Sequence, residues 1–134
     1  MNMTVGVKIS GTAQNPTFEF NGGNGPQNIQ FNNNGHPGVV VYFKINDGGT
    51  GLRFPPNPGD ALSVNQVDGN ALEGPEWPGF LPLSVENNQQ KLLAYCRNDV
   101  QNQQFKFTLH FDGPAGPKDW DPIGDGLNGP RGGF

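Results

Sequence analysis

Hydrophobic residues alternate with polar ones along much of the chain, with the period of two that is typical of β-strands. The longest apolar run is Gly38–Ile45, which is rich in β-branched and aromatic residues and is bracketed by proline and glycine. A run of this length and composition predicts a central strand that is buried on both faces. Two later stretches, Lys91–Arg97 and Gln104–Phe111, are predicted to supply partner strands for the same core.

The stretch Gln104–Phe111 has the clearest alternation. Its phenylalanines and Leu109 are predicted to point to one side, with Lys106, Thr108 and His110 on the other. A second alternating stretch is Asp60–Val67, in which Val67 breaks the phase. This break predicts a bulge or a turn near Asn65.

Short alternating stretches and turn signals recur about every ten residues, and no helical periodicity is present. Further strands are predicted at Met3–Ile9, Thr17–Phe20, Asn28–Phe31 and Pro82–Val85. The pattern predicts an all-β protein: an antiparallel β-sandwich with an immunoglobulin-like Greek key of seven to nine short strands. A small barrel or a jelly roll is the alternative. We expect residues 1–112 to form the sandwich, and residues 113–134, a Gly/Pro/Asp-rich segment, to pack on it or to be partly disordered.

Composition narrows the classes of function. Only 33% of the 134 residues are hydrophobic, and 21 Gly and 13 Pro are present, but the regular spacing of the phenylalanines favours a folded domain over disorder. The net charge is -4 and the cations are scattered, so we expect no nucleic-acid partner. No apolar stretch is long enough to span a bilayer and no signal sequence is evident, so we expect no membrane partner and a cytoplasmic location, or export by a route that the sequence does not show. Cys96 is the single cysteine and cannot form an intrachain disulfide.

Three aspartates near the C-terminus, Asp119, Asp121 and Asp125, are candidate calcium ligands because carboxylates on a glycine-rich loop suit that ion. Their spacing does not match an EF-hand loop, and acidic side chains that cap turns explain them equally well. Cys96 and the two histidines lack the spacing of a copper or zinc site. We therefore favour no metal and expect no cofactor.

Catalytic patterns are similarly sparse. Glu73 and Glu76 lie in one predicted loop, which gives no framework to fix the separation that a glycosidase pair requires. Three serines, Ser10, Ser63 and Ser84, lack the context of a nucleophile elbow. His36 and His110 are expected to be ordinary surface residues. The sequence therefore predicts a protein that is not an enzyme.

Two tryptophans, Trp77 and Trp120, lie in Pro/Gly-rich segments beside Glu76 and Asp121. An exposed indole can stack on a sugar ring while neighbouring carboxylates and amides bind its hydroxyl groups, so these four residues are candidate glycan ligands. The alternative is that each tryptophan folds back as a lid over an open end of the sandwich, which would bury a large apolar area.

The C-terminal segment contains Trp120-Asp121-Pro122-Ile123-Gly124-Asp125-Gly126 after the run of predicted strands. In this Asp-Pro motif, its size and its strand order, the chain resembles the small bacterial proteins of the DP-EP family, although an equally clear Glu-Pro is missing. The resemblance implies an immunoglobulin-like sandwich. The family is uncharacterised, so the resemblance implies no site residue.

Taken together, these patterns predict a non-catalytic β-sandwich that acts by binding or by self-assembly. The few charges on the surface mean that copies of the chain repel one another weakly. A homo-oligomer is therefore a candidate partner state. A carbohydrate-binding module that uses the tryptophans, and a small enzyme with an acidic site built from loops, are the two alternatives.

Overall fold

The structure, a computed structural model, describes residues 2–22, 25–31, 38–74, 76–97 and 103–126. It is an all-β sandwich, as predicted. The strands in this part of the chain are β1 (Asn2–Gly11), β2 (Pro16–Asn21), β3 (Asn28–Phe31), β4 (Gly38–Asn46), β5 (Leu62–Val67), β6 (Asn70–Ala71), β7 (Phe80–Glu86), β8 (Lys91–Arg97), β9 (Gln103–Phe111), β10 (Lys118–Trp120) and β11 (Ile123–Gly126). A single 3-10 turn at Pro58–Asp60 precedes β5. Among the described residues, no helix has the length and apolar character required to cross a membrane.

Two sheets pack face to face. The first has the strand order β2-β1-β4-β8-β7, and the second has the order β3-β11-β9-β5-β6, with β10 also paired to β9. Most pairs are antiparallel, but β1 pairs with β4 and β3 pairs with β11 in parallel. Eleven strands are present in the described residues, more than the seven to nine predicted, because the prediction did not include β6, β10 and β11.

The core lies between the inward faces of the two sheets and is dominated by aromatic rings. Eight phenylalanines are buried in it, and their rings contact one another across the interface. Large aromatic side chains bury much apolar area per residue, which lets a chain with few hydrophobic residues fill its core. The predicted alternation in β9 is confirmed, because its phenylalanines and Leu109 are buried in this core.

The prediction that β4 is buried on both faces is wrong for its outer face. Val41 and Phe43 point inward and are fully buried, whereas Val40 and Tyr42 point outward and are only half-buried. The strand is central because β1 and β8 flank it on its two edges. Its apolar run therefore reflects one buried face and one half-buried outward face, where the Lys91 ammonium lies 4.7 Å from the centre of the Tyr42 ring.

The bulge predicted near Asn65 is confirmed. The pairing of β5 with β9 shifts register between Val64 and Gln66, so Asn65 is the additional residue. Such a bulge increases the local twist of the strand and redirects the side chains on either side of it.

Residues after 112 supply two strands to the second sheet. Trp120 pairs with Leu109 and Ile123 pairs with Lys106, so the register on β9 continues unchanged across Asp121 and Pro122. Proline has no N–H to donate, which interrupts the ladder between β10 and β11. The Pro122 carbonyl still accepts a hydrogen bond from the Phe107 amide at 3.2 Å.

The turn after β4 depends on a glycine. Gly48 has φ +58°, and a Cβ on it would lie 2.2 Å from the carbonyl oxygen of Ile9 in β1. Gly49 also has positive φ, at +84°, but a Cβ there would meet nothing within 4 Å. The turn is held by Asp47, whose carboxylate accepts from the Gly49 amide and from the guanidinium of Arg53.

Candidate functional site

A groove with a cavity volume of about 590 Å³ lies on the outer side of the second sheet, beside the 3-10 turn. We call it the outer-face groove. Its residues are Pro55, Pro56, Gly59, Asp60, Ser63, His110, Phe111, Asp112, Pro117 and Asp119. Prolines make part of the lining apolar, while a hydroxyl, an imidazole and three carboxylates give it polar groups. Its volume is within the range of small-molecule sites.

Three of these polar side chains form a continuous hydrogen-bonded row. The Ser63 hydroxyl lies 2.9 Å from Nε2 of His110, and Nδ1 of His110 lies 2.7 Å from Oδ1 of Asp119. An ionised carboxylate can only accept a hydrogen bond, so Nδ1 carries the proton. In the neutral imidazole Nε2 is then an acceptor, and Ser63 donates its hydroxyl proton to it. We call these three residues the serine relay.

Strand register places the relay. His110 of β9 and Asp119 of β10 are direct partners across the sheet. Ser63 of β5 is the partner of Thr108, which lies two residues before His110 on the same face of β9. Ser63 and His110 are therefore diagonal neighbours, and β5 pairs with the edge of β9 opposite to β10. Since alternate residues of a strand share a face, all three side chains project to the same side of the sheet.

A second row lies beside the relay and shows the same pattern without an imidazole. Nδ2 of Asn65 donates to the Thr108 hydroxyl at 2.7 Å, and this hydroxyl donates to Asp121. Cross-strand hydrogen bonds of this kind stabilise the outer face of a sheet. The relay differs from this row in two respects: it contains a base, and it borders the groove.

The groove carries an excess of acidic side chains. Asp60, Asp112 and Asp119 contribute carboxylates, and no lysine or arginine of the described chain lines it. The nearby Arg53 is engaged elsewhere, since its guanidinium donates to Asp47 at 2.7 Å. This bond is the main reason why the pKa of the Asp47 carboxyl is lowered from its usual 3.8, with the Gly49 amide contributing next.

Trp120, a candidate glycan ligand from the sequence, is a core residue. Its side chain is 7% exposed and packs against Phe18 and Phe20, with ring centroids 5.6 and 4.3 Å away. The indole N–H donates to the side chain of Gln27 at 2.7 Å. The indole therefore covers one end of the core, as in the lid interpretation of the sequence, and presents no exposed face for a sugar.

Trp77 is half-buried and packs on the core edge. Its ring contacts Phe105 at a centroid distance of 5.2 Å, and a Cβ on Gly79 would lie 2.4 Å from the indole. The indole is thus pressed against both neighbours. Glu76 is exposed beside it. The structure does not bring these two residues together with Trp120 and Asp121 in one groove.

The three candidate calcium ligands have different surroundings. Asp119 faces His110 and Asp121 accepts from Thr108, so each carboxylate has a protein partner. The backbone of Asp125 belongs to β11, and its side chain lies outside the described residues. Within the ranges that the structure describes, no cluster of three acidic, histidine or cysteine side chains could hold a metal ion.

Sequence reasoning did not associate the members of the relay. The sequence pattern suggested Ser63 only as a serine without a nucleophile elbow. It gave His110 no copper or zinc spacing and predicted a surface residue, whereas the imidazole is half-buried. The pattern does place Ser63 and His110 on the polar faces of two strands. The pairing of β5 with β9 and of β9 with β10 brings them together with Asp119. This pairing could not be predicted from the pattern of a single sequence.

Cys96 is fully buried, and burial raises the pKa of its thiol. A thiol in this state is a small core side chain and a poor nucleophile. No protein-family model matches this chain, and no curated protein matches it significantly.

Proposed function

We propose that the protein is a binding protein whose ligand site is the outer-face groove, and that its ligand is a small organic cation with an ammonium group. The observation that supports this proposal is that a hydroxyl, an imidazole and carboxylates converge on one cavity of about 590 Å³, which prolines also line. Apolar walls with a few converging polar groups are the usual composition of a small-molecule site.

Charge supports the choice of a cation. Three carboxylates surround a concave surface that no lysine or arginine of the described residues lines, and they concentrate negative potential in the groove. An ammonium group is attracted by this potential, and methyl or methylene groups attached to it suit the prolines of the lining. An anion would be repelled. A neutral sugar lacks the aromatic platform that it would require, because Phe111 is 1% exposed and both indoles lie elsewhere.

The test is calorimetric titration with choline, which carries a permanent positive charge and one hydroxyl. Asp60→Asn and Asp112→Asn should each weaken binding about two- to fivefold, the usual scale for one partly solvated charge pair. Glu19→Gln is the matched control, since it removes one exposed carboxylate from the first sheet and should leave the affinity unchanged.

Added salt should weaken choline binding, because partly exposed charges are screened. Glucose serves as a neutral control ligand and should not bind. Absence of choline binding at low ionic strength would overturn the proposal. Binding of glucose in place of choline would favour a carbohydrate site in the same groove.

A second candidate function, self-assembly, is favoured by the outer face of the first sheet. Here Val40 pairs with Tyr95 and Tyr42 pairs with Leu93, while Leu81 of β7 pairs with the other edge of Tyr95. With the neighbouring Leu83, which is 50% exposed, these residues form what we call the apolar outer patch. A contiguous apolar face on a sheet commonly marks a contact with another protein chain.

The predicted partner for this patch is a second copy of the chain, since the surface carries few charges that would oppose association. Light scattering after size exclusion should show a mass that rises with concentration. Leu83→Lys should restore the monomer mass, while Glu19→Lys, on an edge strand away from the patch, should not. A monomer at every concentration would exclude this candidate.

A further inference from the structure

We propose that Ser63 is an activated nucleophile and that the outer-face groove supports acyl transfer from small carboxylic esters or thioesters that carry an ammonium group. The choice of a cationic substrate rests on the proposed binding function. The activation of Ser63 does not, since it depends on the serine relay alone.

The geometry provides the two relationships that activate a serine. A base lies within hydrogen-bond distance of the hydroxyl, with 2.9 Å between Ser63 Oγ and His110 Nε2. A carboxylate orients that base, with 2.7 Å between His110 Nδ1 and Asp119 Oδ1. Such a constellation is recognised by geometry and roles and not by sequence position. Asp119 acts here as a positioning residue, because it touches His110 and not the hydroxyl.

Access distinguishes this hydroxyl from others in the protein. Ser63, His110 and Asp119 all line the groove, so a bound acyl group can reach Oγ. Ser84 offers the contrast: its hydroxyl donates to the Glu86 carboxylate at 3.0 Å, on the other sheet and without an imidazole. Thr108 is 6% exposed and its hydroxyl donates to Asp121, so it has neither an imidazole partner nor access.

The reaction has two steps. The oxygen of Ser63 bonds to the carbonyl carbon while its proton passes to Nε2 of His110, and the leaving thiol or alcohol departs with that proton. A water molecule then attacks the acyl-Ser63 ester. One proton of the water passes through His110 to Ser63 Oγ, and the carboxylic acid is released. Water is the only co-reactant.

The first test uses a small neutral fluorophosphonate, from which a nucleophilic serine displaces fluoride to form a phosphonyl ester. Peptide mapping by mass spectrometry should find the adduct on Ser63 and at least about tenfold less on Ser84, since a positioned base commonly contributes a hundredfold or more. Ser84→Ala should leave the rate at Ser63 unchanged. Equal labelling of the two serines would overturn the proposal.

The role of His110 is tested by removing the base. His110→Ala should lower the labelling rate at least about tenfold, and free imidazole should restore part of it. If that variant does not fold, His110→Gln keeps polar groups on β9 without a base of similar strength. Undiminished labelling in a folded variant would assign the relay a purely structural role. Asp119→Asn should lower the rate and Asp119→Glu should recover part of it.

The second test measures turnover of acetylthiocholine by thiol release, against its uncharged isostere S-(3,3-dimethylbutyl) thioacetate. The cationic ester should be hydrolysed faster, and Ser63→Ala should abolish the difference. Labelling of Ser63 with equal rates for both esters would retain the nucleophile and reject the cationic substrate class. Choline binding without labelling of Ser63 would retain the proposed binding function and reject acyl transfer.

Discussion

Replacing Trp120 by alanine should be among the most destabilising single changes in this protein. The indole is 93% buried, stacks near Phe18 and Phe20, and donates its N–H to Gln27. Truncating a buried aromatic side chain costs about 3–5 kcal/mol, because the apolar contacts are lost and a cavity remains. Against a typical total stability of about 5–15 kcal/mol, this is a large fraction.

Trp120→Phe separates the two contributions. It retains an aromatic ring on the phenylalanine cluster but removes the donor to Gln27, a hydrogen bond with a net worth of about 1 kcal/mol. The smaller ring adds a modest packing loss, so we expect a total of about 1–2 kcal/mol. Gln27 is exposed, so its freed oxygen can be solvated by water.

The assay is urea unfolding followed by far-ultraviolet circular dichroism, with the free energy extrapolated to water. The urea dependence of the free energy should be the same for both variants if the native fold is retained. A loss below about 1 kcal/mol for Trp120→Ala would refute the burial of the indole. A glycan that shifts the emission of the Trp77→Phe variant, in which only Trp120 fluoresces, would also contradict the lid assignment.

Three further predictions concern the fold. Gly48→Ala should cost more than Gly49→Ala, about 2–4 against about 1 kcal/mol, because both glycines have positive φ but only the first meets backbone; equal losses in urea unfolding would contradict this. The folded-state pKa of Asp47 lies below its usual value, so its stabilisation is present near neutral pH and is lost as the pH falls through that lowered pKa. Asp47→Asn should therefore lose about 1 kcal/mol at neutral pH and show a flatter decline in stability below about pH 4; a decline as steep as in the wild type would assign the acid sensitivity to other groups. Cys96 should resist a thiol reagent in native buffer and react in urea, since burial both covers the thiol and raises its pKa; rapid native labelling would show that β8 opens locally.

Much of the fold was predictable because the buried faces of the strands follow a period of two. The bounds of β3 and β8 were predicted to the residue, and those of β9 to within one. Even the bulge at Asn65 was visible, because Val67 departs from the phase. These features are local, so a single sequence displays them.

The strands β10 and β11 were not predicted, and the reason is physical. The buried positions of this stretch are Trp120 in β10, Pro122 between the two strands and Gly124 in β11, which do not form an apolar alternation. Gly124 is required because a Cβ there would lie 2.4 Å from the ring of Phe105. Proline and glycine normally indicate turns, whereas here Pro122 continues the register between two strands and Gly124 packs within β11. The parallel pairs β1–β4 and β3–β11 depend on long-range pairing, which local patterns do not specify.

The candidate site was less predictable than the fold. The relay joins positions 63, 110 and 119. Ser63 and Asp119 lie on strands at the two edges of β9 and are linked through His110. Both tryptophans were predicted to lie in Pro/Gly-rich loops, but Trp120 lies in a strand and faces the core. Side-chain identity alone does not reveal whether an indole covers a core or a ligand.

A titration of the nitrogen-15-labelled protein with choline, followed by NMR, determines whether the outer-face groove is the ligand site. We predict that the amide signals of Gly59, Asp60, His110 and Asp112 shift together and saturate with one dissociation constant. Signals of β7, on the first sheet, should remain in place. Saturable shifts confined to the first sheet, or an absence of saturable shifts throughout the chain, would contradict the account.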